Sequence, residues 1–159
     1  MIQVRPMQLE DCQAVRKIDE ACFVPADRWE LATFEKMFSY STYHYCVAEQ
    51  INAEDGNKIL CGAAGINIGG DIADVMTVAV AEEYRKQGIG QQLLQWLIEQ
   101  AEVHGCRTML LEVREGNAAA RNLYQTQGFT EIAIRKDYYA APKEAAVIMQ
   151  RILKANDRN

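Results

Sequence analysis

Between Asp74 and Val113 the chain reads as strand, glycine turn, long helix and strand, and this succession constrains the fold more than any other feature. Asp74 to Val80 is a β-branched run. Ile89, Leu93, Leu94, Leu97, Ile98 and Ala101 then recur at the spacing of an amphipathic helix, which Gly105 ends. Thr108 to Val113 is a short apolar run suited to a buried strand. A helix so patterned must cover a sheet, which excludes an all-β sandwich.

The flanking segments extend the pattern. Residues 2–7 read as a short strand, and Leu9, Val15, Ile18 and Cys22 fit a helix face with Asp11 as its cap. Pro25 interrupts, and Trp29 to Phe38 places Trp29, Phe34, Met37 and Phe38 at helical spacings. Tyr43 to Ala48 and Ile59 to Ile68 predict a hairpin around a polar Asn52 to Lys58 turn. After the Arg114 to Asn117 turn comes an Ala-rich helix ending near Gly128. Phe129 to Arg135 and Ala145 to Leu153 then read as strands separated by a Tyr138 to Lys143 loop, and 154–159 as a frayed tail. The expected order, βααβββαβαββ, is a mixed α/β sheet of about seven strands flanked by about four helices.

The chain has 159 residues, enough for one core, and no linker or repeat divides it, so 1–159 is expected to form a single domain. Seventeen Lys and Arg against 22 Asp and Glu leave a net charge of −5, the opposite of a general nucleic-acid footprint. An anionic ligand therefore needs a local site. No uncharged stretch approaches the roughly 18 residues of a membrane span. Met1 to Cys12 lacks the apolar segment of a secretory signal, which together predict a cytoplasmic location. Five cysteines without CxxC spacing, and histidines far apart in sequence at 44 and 104, argue against zinc, any other metal and a disulfide framework.

The sharpest local feature is Arg85-Lys86-Gln87-Gly88-Ile89-Gly90, which opens the long helix. Glycines there let backbone amides approach a ligand, and the unpaired N–H groups, the positive helix end and the adjacent cations together favour an anion. The same residues also serve as simple loop-to-helix punctuation. A Walker loop is excluded because Gln91 and Gln92 follow Gly90. A dinucleotide fingerprint fits poorly, since Ala81 to Gln87 separate strand from turn and Leu93 stands where a small residue is needed.

Glu112 interrupts the apolar run Met109 to Val113. Buried there, it would have a raised pKa and serve as a general base; facing outward, it is a half-solvated strand residue. Twelve residues on, Tyr124 follows Ala118-Ala119-Ala120 on a helix. Its phenol can protonate a leaving thiolate, or the ring is simply core. His44 beside Cys46 offers a weaker pattern for a nucleophilic thiol. Tyr138 and Tyr139 either line a substrate groove or pack over a sheet end.

Together these pieces resemble the GCN5-related N-acetyltransferase (GNAT) superfamily, through the strand, turn and helix of Val75 to Leu97. The closer resemblance is to the ribosomal-protein alanine N-acetyltransferase (RimI-like) family. It is carried by Leu111-Glu112-Val113-Arg114, Asn117-Ala118-Ala119-Ala120, Leu123-Tyr124 and Gly128-Phe129, and it extends through Arg135, Tyr138-Tyr139, Glu144-Ala145 and Met149. The resemblance implies a mostly antiparallel, splayed sheet. It also implies acetyl-coenzyme A as cosubstrate, with its pyrophosphate on the amides from Gln87 through Gln91 and Arg85 and Lys86 nearby. The pantetheine arm would lie along Val78 and Val80 and touch Asn117.

By the same resemblance Glu112 is the general base, Tyr124 the general acid, and the reaction a direct transfer to an amine. The implied acceptor is a protein N-terminus, such as that of an alanine-starting small-subunit ribosomal protein, held near Trp29, Tyr138 and Tyr139. No nucleic acid or membrane partner is implied, and the sequence leaves the oligomeric state open. The family's compact Pro-Trp element appears here as Pro25-Ala26-Asp27-Arg28-Trp29, stretched by three residues, which bears on acceptor choice. Two alternatives remain at this stage: a sister enzyme acting on lysine or a small-molecule amine, and a non-catalytic coenzyme-A-binding regulator.

Overall fold

The apolar runs become strands and helices in the computed structural model, which describes residues 1–154. Residues 155–159 of the expected tail lie outside the described residues. The elements are β1 (Ile2–Pro6), α1 (Cys12–Cys22), α2 (Leu31–Met37), β2 (Tyr43–Ile51), β3 (Lys58–Gly69), β4 (Ile72–Val80), α3 (Ile89–Val103), β5 (Thr108–Arg114), α4 (Ala118–Thr126), β6 (Thr130–Ala140) and β7 (Lys143–Ile152). Their order is the one the sequence predicts. The strands form one sheet, β1-β2-β3-β4-β5-β7-β6. Every neighbouring pair is antiparallel except β4 with β5.

Alternation along the central strands builds two cores. Cys46, Ala48, Ala64 and Ile66 turn to one face, under α3 and α4, where the six expected α3 positions are all buried. Val47 and Ala63 turn to the other face, against Val15 of α1 and Phe34 of α2. Because both faces are covered, β2 and β3 read as nearly continuous apolar runs.

The feature that makes a site is the parting of β4 from β5. They pair only over Ile72 to Asp74 and Thr108 to Leu110. A bulge at Met76 helps β4 bend away, since Gly65 pairs with Thr77 while the next residue, Ile66, pairs with Val75. From Val75 onward one edge of β4 is open.

Several local expectations are corrected. Leu9 is 58% exposed because residues 9–11 form a 3-10 turn and α1 starts only at Cys12. Asp11 makes no side-chain cap for α1; its carboxylate accepts the Gln8 N–H and both Nη atoms of Arg5 instead. Trp29 lies outside α2, its N–H held at 2.9 Å by Asp19 Oδ2, and Phe38 follows the helix as an exposed residue. The expected Tyr138 to Lys143 loop is mostly strand. Tyr139 pairs with Glu144 and Ala140 with Lys143, while a bulge after Arg135, with Asp137 at φ 55°, absorbs the irregularity.

Candidate active site

The turn before α3 is shaped by two left-handed residues, Lys86 (φ 63°) and Gly88 (φ 79°). Gly88 is the helix's N-cap and no side chain caps it. The first intrahelical bond runs from Gln92 N–H to the Gly88 carbonyl, so the amides of Ile89, Gly90 and Gln91 are free at the positive end of the helix. At Gly90 a Cβ would lie 3.1 Å from Leu123 Cδ2, so a side chain there would have to press Leu123 aside.

These amides open onto a cleft of about 570 Å³. Val78, Val80, Arg85, Lys86, Gly88, Ile89, Gly90, Gln91 and Asn117 all line it, together with Tyr124. Of the turn residues expected there, Gln87 alone does not. Asn117 caps α4, its Oδ1 accepting the Ala120 N–H at 3.1 Å. Ala81 N–H donates to the Cys61 carbonyl across to β3, so by alternation Val78 and Val80 turn their N–H and C=O toward the open side. The Val80 carbonyl is already engaged, accepting Arg85 Nε at 3.1 Å and the Cys22 thiol at 3.3 Å. The backbone groups of Val78 and the N–H of Val80 are the ones available to an extended ligand.

Below this cleft, in the gap between β4 and β5, lies a hollow of about 120 Å³ that both Glu112 and Tyr124 line. Glu112 is exposed, the outward-facing of the two positions its sequence left open. Alternation sends Met109, Leu111 and Val113 into the core under α4 and leaves Glu112 on the opposite face. Tyr124 is buried in that core, its ring edge-on to Phe129 at 5.7 Å. Burial, and secondarily Tyr139, raise its phenol well above the ordinary value. The two side chains thus reach one space from opposite faces of the sheet.

Beyond Glu112 the hollow widens into a groove of about 710 Å³. Asp19, Trp29 and Arg28 contribute one wall, Arg135 and Tyr139 the other, and Asp74 and Glu112 the floor. Asp19 is buried, which raises its pKa, although the Trp29 N–H and Arg28 oppose the shift. Burial, then the Glu112 charge, raise Asp74. Tyr139 is pushed up to about 12, first by burial and then by Glu112 and Asp27. Tyr138 does not line the groove; it stands edge-on to Tyr139 at 5.0 Å, and its phenol is raised first by Glu112 as hydrogen-bond acceptor. Among the described residues no three His, Cys, Asp or Glu side chains cluster as a metal site needs, and no helix is long and apolar enough to cross a membrane.

Residues 12–129 match the acetyltransferase (GNAT) family. The chain belongs to that family. It is similar to the [ribosomal protein bS18]-alanine N-acetyltransferase of Escherichia coli strain K12, 44% identical over 81 residues, which are 50% of this chain and 55% of the relative. The chain thus spans about half the length of that curated relative in sequence. A Bacillus subtilis relative whose name carries the same activity provisionally is 35% identical over 147 residues, 92% of either chain. The crystal structure of the Escherichia coli ribosomal-protein-S18-alanine N-acetyltransferase superposes with a TM-score of 0.82 at 30% identity, covering 100% of this chain and 99% of the other. The NatC complex bound to Gag peptide and CoA shares the fold, with a TM-score of 0.81 at 20% identity over 96% of this chain and 99% of that one.

Three features of this GNAT chain carry no sequence signal. Cys22, expected on the buried helix face, borders the cleft beside Arg85. His44 and His104, distant in sequence, lie ring against ring, tilted by 49° with centroids 4.4 Å apart. Asp27 reaches Arg114 across 87 residues. No periodicity relates such positions; only the sheet and its covering helices bring them together.

Proposed function

We propose that this GNAT chain is an acetyl-CoA-dependent N-acetyltransferase that transfers the acetyl group directly to a primary amine, the N-terminal α-amine of a protein such as an alanine-starting small-subunit ribosomal protein. The observation that carries the reading is the junction of three spaces. An open strand edge beside uncapped helix amides suits a phosphorylated, amide-bearing cosubstrate. A second groove reaches the same point from the other face of the sheet, and Glu112 and Tyr124 stand where the two meet.

In this reading Ile89, Gly90 and Gln91 N–H groups bind the pyrophosphate, Arg85 and Lys86 supply positive charge, and Val78 holds the pantetheine arm. Glu112 removes the proton of the acceptor ammonium, directly or through water. A free N–H of β4 donates to the oxyanion that develops on the thioester carbonyl. Tyr124 gives its proton to the departing thiolate as the C–S bond breaks, and the phenolate left behind, the stronger base, takes up the proton that the amide nitrogen sheds. Both reacting groups are held in place, so no acyl-enzyme is needed. The names of the Escherichia coli and Bacillus subtilis relatives support the choice of acceptor. A cytoplasmic enzyme built as one domain over 1–159 completes the proposal.

The test is thiol release from acetyl-CoA against an alanine-starting ribosomal peptide, its N-terminally blocked copy containing lysine, a polyamine, and no acceptor. Mass spectrometry locates the acetyl group. Release only with the free N-terminus supports the proposal. Transfer to lysine or polyamine alone would replace the acceptor, and no acceptor-dependent release at all would leave a coenzyme-binding regulator.

A further inference from the structure

We infer that Arg114 is the positioning residue of the acceptor groove, a latch that ties its two walls together through Asp27. The inference rests on the proposed acceptor reading and names what sets the shape of that same groove.

Arg114 closes β5 two residues beyond Glu112 and on the same face. Its guanidinium has five N–H donors in a planar fork, and the structure supplies five acceptors. Nε donates to Asp27 Oδ2 at 2.8 Å and Nη2 to Asp27 Oδ1 at 3.0 Å. Nη2 also reaches the Ala141 carbonyl at 3.3 Å. Nη1 reaches the Pro142 carbonyl at 2.8 Å and Glu144 Oε1 at 3.3 Å. The cation also lies 4.1 Å from the centre of the Tyr139 ring.

Asp27 and Arg114 side chains are 25% and 13% exposed, so the pair is shielded rather than a solvated surface contact. Asp27 belongs to the segment that ends in Trp29, one wall of the groove, while Tyr139, which leads into the β6 to β7 turn, stands on the other. Among the described residues no backbone hydrogen bond joins these two segments directly. One side chain therefore fixes the distance between walls whose spacing decides which acceptor fits. Lysine cannot do this, since a point charge with three donors has neither the fork nor the reach to two carbonyls and two carboxylates.

Two variants test it. In Asp27→Asn the Arg114 fork keeps its carbonyls but loses its charged partner on the Trp29 wall. The acceptor-peptide KM is expected to rise about tenfold, the scale of a lost charge-assisted contact, with acetyl-CoA KM unchanged. Arg114→Lys should raise it at least as much, and adding Asp27→Asn to it should cost little more, because the two act as one unit. Hydrogen exchange should quicken in residues 25–29 and 138–142 together in Arg114→Lys. Acceptor KM within twofold of the parent in Asp27→Asn, or exchange in either wall unmoved, overturns the latch. The exchange readout needs no turnover, so it decides the latch even if the parent acetylates no N-terminus, a result that would instead refute the proposed function.

Discussion

Glu112 and Tyr124 meet across the thickness of the sheet: the carboxylate comes from the face under α1, the phenol from the core under α4, and the gap between β4 and β5 lets both reach one hollow. Replacing Glu112 by Gln preserves shape and removes only the base. We expect kcat to fall by roughly 10² to 10⁴ fold, with the acidic limb of the pH–rate profile lost and acetyl-CoA binding nearly unchanged. Steady-state kinetics over pH with calorimetric coenzyme binding checks this. An unaltered acidic limb would remove Glu112 from the role.

Tyr124 is held above its ordinary pKa by burial. A raised phenol keeps its proton throughout the neutral range, so Tyr124 contributes no basic limb below about pH 10. Tyr124→Phe should slow turnover by roughly 10² fold with little change in melting temperature, since the ring still packs edge-on to Phe129. Full activity would mean that solvent or another group protonates the thiolate.

What the sequence disclosed of this fold follows from distance along the chain. The α3 face and the Arg85 to Gly90 turn are local patterns, and the structure reproduces both. Glu112 was ambiguous because alternation alone does not say which face of β5 is covered. The Tyr138 to Tyr139 segment reads as loop because Lys136 and Asp137 break its apolar alternation; pairing with Glu144 and Lys143 overrides that weak local preference. The Asp27 to Arg114 pair had no local signature at all. Both of its partners are ordinary surface residue types until the sheet sets them side by side.

Gly65 is a glycine for a reason visible only in three dimensions. The Tyr45 ring lies across it, occupying the space a Cβ would need. Gly65→Ala must push the ring aside, at a cost of about 1–3 kcal/mol, or a melting temperature lower by roughly 2–10 °C. Made in a Tyr45→Leu background, the same change should cost clearly less. Equal cost in both backgrounds, measured by thermal or urea unfolding, would show that the ring is not the obstacle.

His44 makes stability depend on pH in a predictable direction. Burial first, then the neighbouring His104, hold the His44 pKa below its ordinary value of 6.5. The unfolded chain therefore binds a proton at His44 more readily than the folded one, so the contribution is present above the ordinary pKa and is lost as pH falls through 6.5 toward the folded value. The urea midpoint of the parent should drop between about pH 7.5 and about pH 5.5, and His44→Gln, which cannot charge, should drop less. His104→Gln removes the repulsion but not the burial, so it should fall between the two. A parent and His44→Gln with the same pH slope would show that His44 carries none of the dependence.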